Sequence, residues 1–469
     1  MVTPSFLDHV LPEQWFLVML PLLSGIFFLA RSRWRSRGRN LPPGPPSLPL
    51  IGHVHLMMGA LPHRSMSELA RRHGPVMMLR LGVVPTVVVS SPDAARDALK
   101  THDAECCSRP GTPGPRRMSY EHKDVAFAPY SEYWREMRKL VVIELLSMRQ
   151  VQATWYAREA QVDKLIASLT RAGGTPVFLE DHIYAFMDGF IGTVALGKIY
   201  GTEQFAYKKH FHHVIDDAMS VMASFSAEDY YPNAVGRLID RLTGVVGRRE
   251  KIFKEIDAFF ELIIQHHLDP ARAASPDNGH DIIDVLIARN QTVREKVQQE
   301  VRAVVGNKER VQPDDVPKLK YLKMVVKEIL RLHPPAPLLV PRETIRDAKI
   351  CGYDVPAKTR LFVNVGAIGK DPKFWDNAEE FNPDRFEVND IDFNGTHFEF
   401  LPFGAGRRAC PGMAMGLATT EFTLANLLYC FNWELPEGVT PENMNMEEEA
   451  GLTVRKKTPL MLVPTRNNK

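Results

Sequence analysis

Cysteine is scarce, with five in 469 residues. That is too few for a secreted disulfide scaffold, and Cys106 and Cys107 are chain neighbours that cannot easily pair with each other, so a reducing compartment is expected. Charge of one sign is lacking too. The 58 basic against 56 acidic residues leave a formal +2, and five of those arginines (Arg31, Arg33, Arg35, Arg37 and Arg39) fall in one short segment, without which the balance is 53 to 56. No general nucleic-acid surface follows from such a balance. Internal repeats are absent, and no Pro/Gly/Ser linker cuts the body into halves. The remainder, 45% apolar and 24% charged, is ordinary globular composition, long enough for one large core or two to three average domains. Disordered and collagen-like classes are excluded.

One uncharged apolar run stands out, Trp15 to Ala30 (WFLVMLPLLSGIFFLA). Sixteen residues are near the lower limit for a membrane-spanning helix, and its proline is tolerable in a bilayer. A cleaved signal peptide needs a basic start, whereas Asp8 and Glu13 precede this run and no Lys or Arg does. The arginines that follow place the rest of the chain in the cytosol. The expected layout is a membrane anchor at 1–30, a basic and proline-rich stalk at 31–50, stiff and extended over Leu41 to Pro49, and a cytosolic body at 51–469.

The body reads as mainly α with small β-sheets. Apolar residues recur at helical spacing in Ala160 to Leu169 and Phe253 to His267. Short strand-like runs occupy Val76 to Leu81, Thr86 to Ser90, Arg360 to Val365 and Leu460 to Val463. Asp269 to Gly279 reads as an exposed loop. His212-His213, His266-His267 and His53-x-His55 lie outside any HExxH or paired CxxC setting, which argues against a zinc site.

The most informative run is Phe403-Gly404-Ala405-Gly406-Arg407-Arg408-Ala409-Cys410-Pro411-Gly412, followed by an apolar stretch of helical length, Met413 to Cys430. Gly404-x-Gly406-x-x-Ala409 imitates a dinucleotide fingerprint, but no clear βαβ unit surrounds it. A cysteine at the end of a glycine loop and the start of a helix has another logic, because amides and the helix amino terminus stabilise a thiolate. Such a thiolate can attack a substrate or ligate a metal. At this point the sequence resembles the cytochrome P450 family: Phe403-Gly404-x-Gly406-x-Arg408-x-Cys410-x-Gly412 matches its haem-thiolate loop at every diagnostic position. The resemblance implies the cytochrome P450 fold behind an N-terminal transmembrane helix, and haem b as cofactor. It makes Cys410 the axial iron ligand, which pushes electron density toward the metal. It also implies Phe403 packed over the sulfur, Arg408 at a haem propionate, and Gly404, Gly406 and Gly412 letting amides approach the sulfur.

Three further motifs stand in the family's order. Glu328 and Arg331 are three apart on a helical face, within ion-pair reach, among Val325, Val326, Ile329 and Leu330. Asn382-Pro383-Asp384-Arg385-Phe386 supplies another arginine, and the resemblance makes Glu328, Arg331 and Arg385 a buried network beneath the haem loop. Trp134 and Arg138, four apart, and Arg342 are implied propionate contacts. Implied substrate contacts are the loop around Pro110 to Tyr130, the helix near Asp216 to Phe225, Leu338 to Val340 and Gly451 to Thr453. Segments such as His102 to Pro110, Met222 to Asp229 and Leu428 to Cys430 resemble plant enzymes of specialised metabolism, in particular cereal enzymes acting on 4-hydroxyphenylacetaldehyde oxime. The implied activity is a monooxygenase that inserts one atom of O2 into a small apolar or aromatic molecule, with an aldoxime as candidate. Nothing resembles an NADPH or flavin domain, so NADPH acts through NADPH-cytochrome P450 reductase. Arg135, Lys139, Lys323, Lys327 and Arg407 are candidates for its docking face. The implied location is the endoplasmic reticulum membrane, in contact with lipid by a single span.

One family element is missing from the sequence. A long central helix should cross the distal face of the haem, with a short motif whose acid and threonine relay protons. Asp281 to Gln291 resembles the approach to it and Thr292 to Gly306 the segment well beyond, and the two are joined directly. On the order of fifty residues are expected to be absent near 291–292, comparable to a helix of about 45 Å plus connections. No distal catalytic residue is assigned, since Thr292 lacks the small-residue setting. The competing expectation is an impaired splice form or mispredicted gene product that retains at most haem or membrane binding.

Overall fold

A computed structural model of the chain describes residues 38–467 apart from 59–60, 197–216, 223–225, 268–290, 442, 450 and 452. The expected anchor, the arginines through Arg37 and the Asp269 to Gly279 loop lie outside the described residues. Among the described residues no helix is long and apolar enough to cross a membrane.

The body is mainly helical with small sheets. Its frame consists of α1 (Pro62–His73), α2 (Glu132–Leu140), α3 (Trp155–Ala172), α4 (Leu179–Leu196), α5 (Ala227–Tyr230), α6 (Ala234–Leu242), α7 (Val245–His267), α8 (Gln291–Val305), α9 (Lys320–Leu332) and α10 (Met413–Cys430). Local chemistry sets the ends. The Ser131 hydroxyl accepts from the Trp134 amide at 3.2 Å to start α2, supplying a partner that the first helical amides otherwise lack. Gly173 closes α3 at φ 55°, where glycine carries no side-chain penalty.

The strands are β1 (Val76–Leu81), β2 (Val84–Val89), β3 (Val177–Phe178), β4 (Arg342–Glu343), β5 (Ala348–Ile350), β6 (Tyr353–Val355), β7 (Arg360–Val363), β8 (Phe431–Glu434), β9 (Glu448–Glu449), β10 (Arg455–Lys456) and β11 (Met461–Arg466). One sheet has the order β1-β2-β7-β4, with β2 and β7 parallel; another is β3-β11-β8. Strand β7 stops two residues short of the run read from sequence because the Asn364 side chain accepts from the Ala367 amide at 3.0 Å and turns the chain. Strand β11 runs past its expected end because pairing with β8 continues to Arg466 opposite Phe431.

The main core joins α3, α4, α8, α9 and α10 through residues such as Leu165, Ile183, Val297, Leu322 and Phe422. A second core lies between the four-stranded sheet and Leu99, Cys106, Leu401 and Ala405. All five cysteines are free. The later part of the proline segment lies against the body: the Met78 amide donates to the Pro43 carbonyl at 2.8 Å, and a Cβ on Gly44 would come within 2.1 Å of the Met78 carbonyl oxygen.

Most of α10 is buried from Thr419 to Cys430. Burial pushes the Glu421 carboxyl up to about 7 from 4.5, and Lys323 of α9 offsets this only in part. A carboxyl raised by folding holds its proton more tightly in the folded chain, so stability declines as pH rises between those two values. Replacing Glu421 by Gln should remove that slope. Urea unfolding should show the variant to be the more stable at about pH 8 and the two chains equal at about pH 4.

Candidate cofactor and substrate site

The loop before α10 is shaped by its glycines. Gly404 and Gly406 adopt φ of 68° and 69°, which a side chain would resist. A Cβ on Gly406 would lie 2.4 Å from the Leu99 carbonyl oxygen and 2.5 Å from Asp103 Oδ1, so the loop can seat only as glycine. The Cys410 amide donates to the Phe403 carbonyl at 2.9 Å and closes the turn. Phe403 packs edge-on against Phe393, with ring centroids 5.6 Å apart. The Cys410 thiol is exposed. The dense protein on its other sides pushes its pKa up, opposed by the Gly412 amide and the Arg138 guanidinium.

Guanidinium groups outnumber carboxylates around this loop. Asp103 is committed to two of them: Arg342 Nη1 at 2.9 Å, and Arg407 through its amide at 3.1 Å and its Nη1 at 2.9 Å. Arg342 also donates to the Ala405 carbonyl at 2.7 Å, so it is engaged in holding the loop. Arg408 donates to the carbonyls of Cys107 and Ala128 at 2.8 and 2.7 Å. Its Nη1 is buried without a partner among the described residues. Burial draws its pKa down to about 10, the cost of keeping a charge away from water. Arg138 donates to the Ala409 carbonyl at 2.7 Å. Arg109 donates to Ala126, Val340 and Pro341 carbonyls. Among the described residues none of Arg109, Arg138 and Arg408 has a carboxylate ion-pair partner. A thiol beside Arg138, with Arg408 bonded to carbonyls of neighbouring segments, suits an anionic cofactor whose metal a thiolate can hold.

The surroundings of Trp134 and Arg109 are set by contacts made in the fold. The Trp134 indole N–H donates to the Val125 carbonyl at 2.9 Å, and its ring lies 3.8 Å beneath the Arg408 guanidinium. It is a platform for that cation rather than a free donor. Arg109 went unassigned, because one arginine before a proline reads as surface charge; only its burial, at 7% exposure, marks it.

Glu328, Arg331 and Arg385 do meet. Arg331 donates to both Glu328 oxygens at 2.7 and 2.8 Å, and to the carbonyls of Gly369, Ala378 and Glu380. Arg385 Nε and the Asn382 amide reach Glu328 Oε1 at 3.1 and 2.8 Å. The Glu328 and Arg331 side chains are wholly buried, so α9 fixes the 369–385 segment through charge.

Segments distant in sequence converge on one cavity of about 2300 Å³. Pro110 and Phe127, Met219 and Met222, Leu338 to Val340, and Gly451 and Thr453 all line it, as do Met415 and Thr419 of α10. From α4 come Glu180, Tyr184, Met187 and Ile191, at steps of four, three and four that make one helical stripe. Of the candidate docking cations, Arg407 is paired with Asp103, and Lys327 donates to the Ile391 carbonyl at 2.8 Å.

Replacing Glu328 by Gln leaves two buried guanidinium groups without their countercharge and should cost about 3–5 kcal/mol. Lys296→Met, which breaks the exposed pair with Asp384 at 2.6 Å, should cost under about 1 kcal/mol. Urea unfolding checks both, with Trp375, 5.3 Å from the Arg331 guanidinium, as a local fluorescent reporter.

Comparison with known proteins points the same way. The family model described as Cytochrome P450 matches residues 42–288 and 282–463. The chain is 54% identical to 4-hydroxyphenylacetaldehyde oxime monooxygenase of Sorghum bicolor over 521 aligned positions, covering 99% of this chain and 98% of that protein. It is 42% identical to 2-methylbutanal oxime monooxygenase of Manihot esculenta, covering 97% and 98%, and 42% identical to cytochrome P450 71B34 of Arabidopsis thaliana, covering 96% and 98%. By its loop, its extent of match and its relatives, the chain belongs to the cytochrome P450 family of haem b monooxygenases, which draw electrons from NADPH through a reductase.

Proposed function

We propose that the chain is built as a haem-thiolate monooxygenase of plant specialised metabolism, with an aldoxime as substrate class. The observation that carries this is the Cys410 thiol next to the half-buried Arg138, on a loop whose Arg408 is buried without a carboxylate ion-pair partner among the described residues. Cys410 would hold the iron, and Arg109, Arg138 and Arg408 the propionates. Gly404, Gly406 and Gly412 shape the loop, and Phe403 shields the sulfur side. Arg342 positions the loop through Asp103 and Ala405, Trp134 supports Arg408, and Glu328, Arg331 and Arg385 stiffen the flank. When bound, the haem supplies O2 activation, with one atom going to the substrate and the other to water. The cavity's apolar lining would orient the substrate and exclude water. Two relatives of high coverage carry oxime monooxygenase names, which supports the substrate class. The run Trp15 to Ala30 and the following arginines support a single span in the endoplasmic reticulum membrane, with the body toward the cytosol and the reductase.

A second reading concerns turnover: this form lacks most of its distal wall. Its family match breaks into two segments at 282–288. Alignments of 521 and 505 positions, against 469 residues, leave about fifty positions of those relatives without counterpart. A small-molecule site occupies roughly 300–1,000 Å³. The cavity of about 2300 Å³ exceeds that range and must seat the haem as well. No acid and threonine for proton relay are assigned, so impaired turnover is expected.

The test is the carbon monoxide difference spectrum of the reduced full-length chain. A band at the position typical of thiolate-ligated haem, lost in Cys410→Ala, is expected. No haem uptake would defeat the assignment. With reductase, NADPH and an aldoxime, peroxide release without product is the signature of the missing relay.

A further inference from the structure

Between Arg385 and the thiolate loop runs the turn Asp392-Phe393-Asn394-Gly395-Thr396, which lies in contact with that loop. Phe393 packs on Phe400 and Phe403, with ring centroids 6.2 and 5.6 Å apart. Gly395 holds φ 83°, and a Cβ built on it would sit 3.4 Å from Ala405 Cβ and 3.6 Å from the Gly404 carbonyl oxygen. Asn394 and Thr396 are exposed to solvent. The turn is anchored by its aromatic residue, seated on the thiolate loop by its glycine, and wet at the residues on either side of that glycine.

Asn394 closes the turn on itself. Its Oδ1 accepts from the Thr396 amide at 3.3 Å and from the Thr396 hydroxyl at 2.6 Å. A backbone amide can only donate, so the oxygen of the Asn394 side chain, not its nitrogen, takes this position. The bond from the residue two places on makes an Asx turn, which folds the side-chain amide back toward the peptide that follows. The nitrogen of that peptide belongs to Gly395, and it donates to no acceptor among the described residues. With no side chain on Gly395, nothing on that residue shields the nitrogen. An exposed amide carbonyl with two donors on its oxygen is thus turned toward an unengaged peptide nitrogen.

We propose that Asn394 is a site of spontaneous covalent modification, deamidation through a cyclic imide, and that Thr396 promotes it. The Gly395 nitrogen bonds to Asn394 Cγ and gives its proton to water. The Cγ–Nδ2 bond breaks, and Nδ2 takes up a proton and leaves as ammonia. Water then opens the five-membered imide, at Cγ to give aspartate or at the backbone carbonyl to give isoaspartate. One water is consumed and one ammonia released, with no oxidant or reductant. As the ring closes, negative charge gathers on Oδ1, where both Thr396 donors already point, the arrangement that stabilises an oxyanion in acyl transfer. Asn389 is the internal contrast. It also accepts from the amide two residues on, that of Ile391 at 3.2 Å, but the residue that follows it is Asp390, whose side chain crowds and whose charge opposes the attack. Isoaspartate adds a methylene to the backbone of a turn seated on Ala405 and Gly404, so the change reaches the loop that carries Cys410. The same three residues form an N-x-Thr glycan acceptor, a use that requires the body to lie on the lumenal side of the membrane.

The test needs neither haem nor turnover. Full-length chain in lipid nanodiscs is incubated at about pH 8 in water enriched in oxygen-18, digested with trypsin, and read by mass spectrometry on the peptide 386–407, which holds both asparagines. Asn394 should lose ammonia and gain the label while Asn389 stays intact, and the isoaspartyl product should accept a methyl group from protein isoaspartyl methyltransferase. Thr396→Val should slow the reaction about tenfold, the loss of one hydrogen bond, and Thr396→Ser, which keeps the hydroxyl, should react at the parent rate. Guanidinium chloride, which dissolves the turn, should slow the parent chain as well, so the role of the turn is tested even if the valine variant misfolds. An Asn394 that stays intact overturns the proposal. So does a reaction as fast or faster in Thr396→Val or in the denatured chain, the result of a turn that shields the amide. A glycan on Asn394 of chain purified from plant tissue would overturn both this proposal and the cytosolic placement of the body.

Discussion

Positive charge held in the protein without a carboxylate partner is the constraint on which the Cys410 region depends. Arg109, Arg138 and Arg408 satisfy most of their N–H groups with backbone carbonyls, but carbonyl dipoles do not cancel the charge. Keeping such groups buried is unfavourable unless something anionic is to come. Asp103 is already committed to Arg342 and Arg407. The loop, with its two left-handed glycines, brings an open thiol to the edge of this unbalanced cluster. A dianionic porphyrin with a thiolate-seeking metal answers both needs.

A second arrangement of charges, at Glu328, is solved differently. Glu328 receives two guanidinium groups and one amide, and the remaining donors of Arg331 reach carbonyls across the 369–380 segment. Here one carboxylate faces two guanidinium groups and backbone carbonyls take the other donors, so the network serves as scaffold.

How legible this was in sequence followed the range of the interactions. Met413 to Cys430 was readable as a helix because its apolar run and preceding loop are local, and it forms over those residues. The Glu328 and Arg331 pair was readable from helical spacing. Strand ends shifted because Asn364 caps a turn and β8 extends the pairing of β11, choices made by partners far along the chain. That the Trp134 N–H is taken by the Val125 carbonyl had no local signature, and Arg109 carried no local mark. The expected join near 291–292 was read from the order of the motifs, and it adjoins residues outside those described.

The thiolate loop and the arginines around it lie in the described part of the chain, whereas residues 268–290, beside the expected deletion, lie outside it. The central claim is that unpaired arginines hold a carboxylate-bearing haem. The most direct test is to titrate the haem-free chain with haem b and with its dimethyl ester, in which methylation removes the propionate charges. The account predicts that haem b binds at least about tenfold more tightly, as expected for loss of charge-assisted hydrogen bonds. Equal affinity for the two would contradict it.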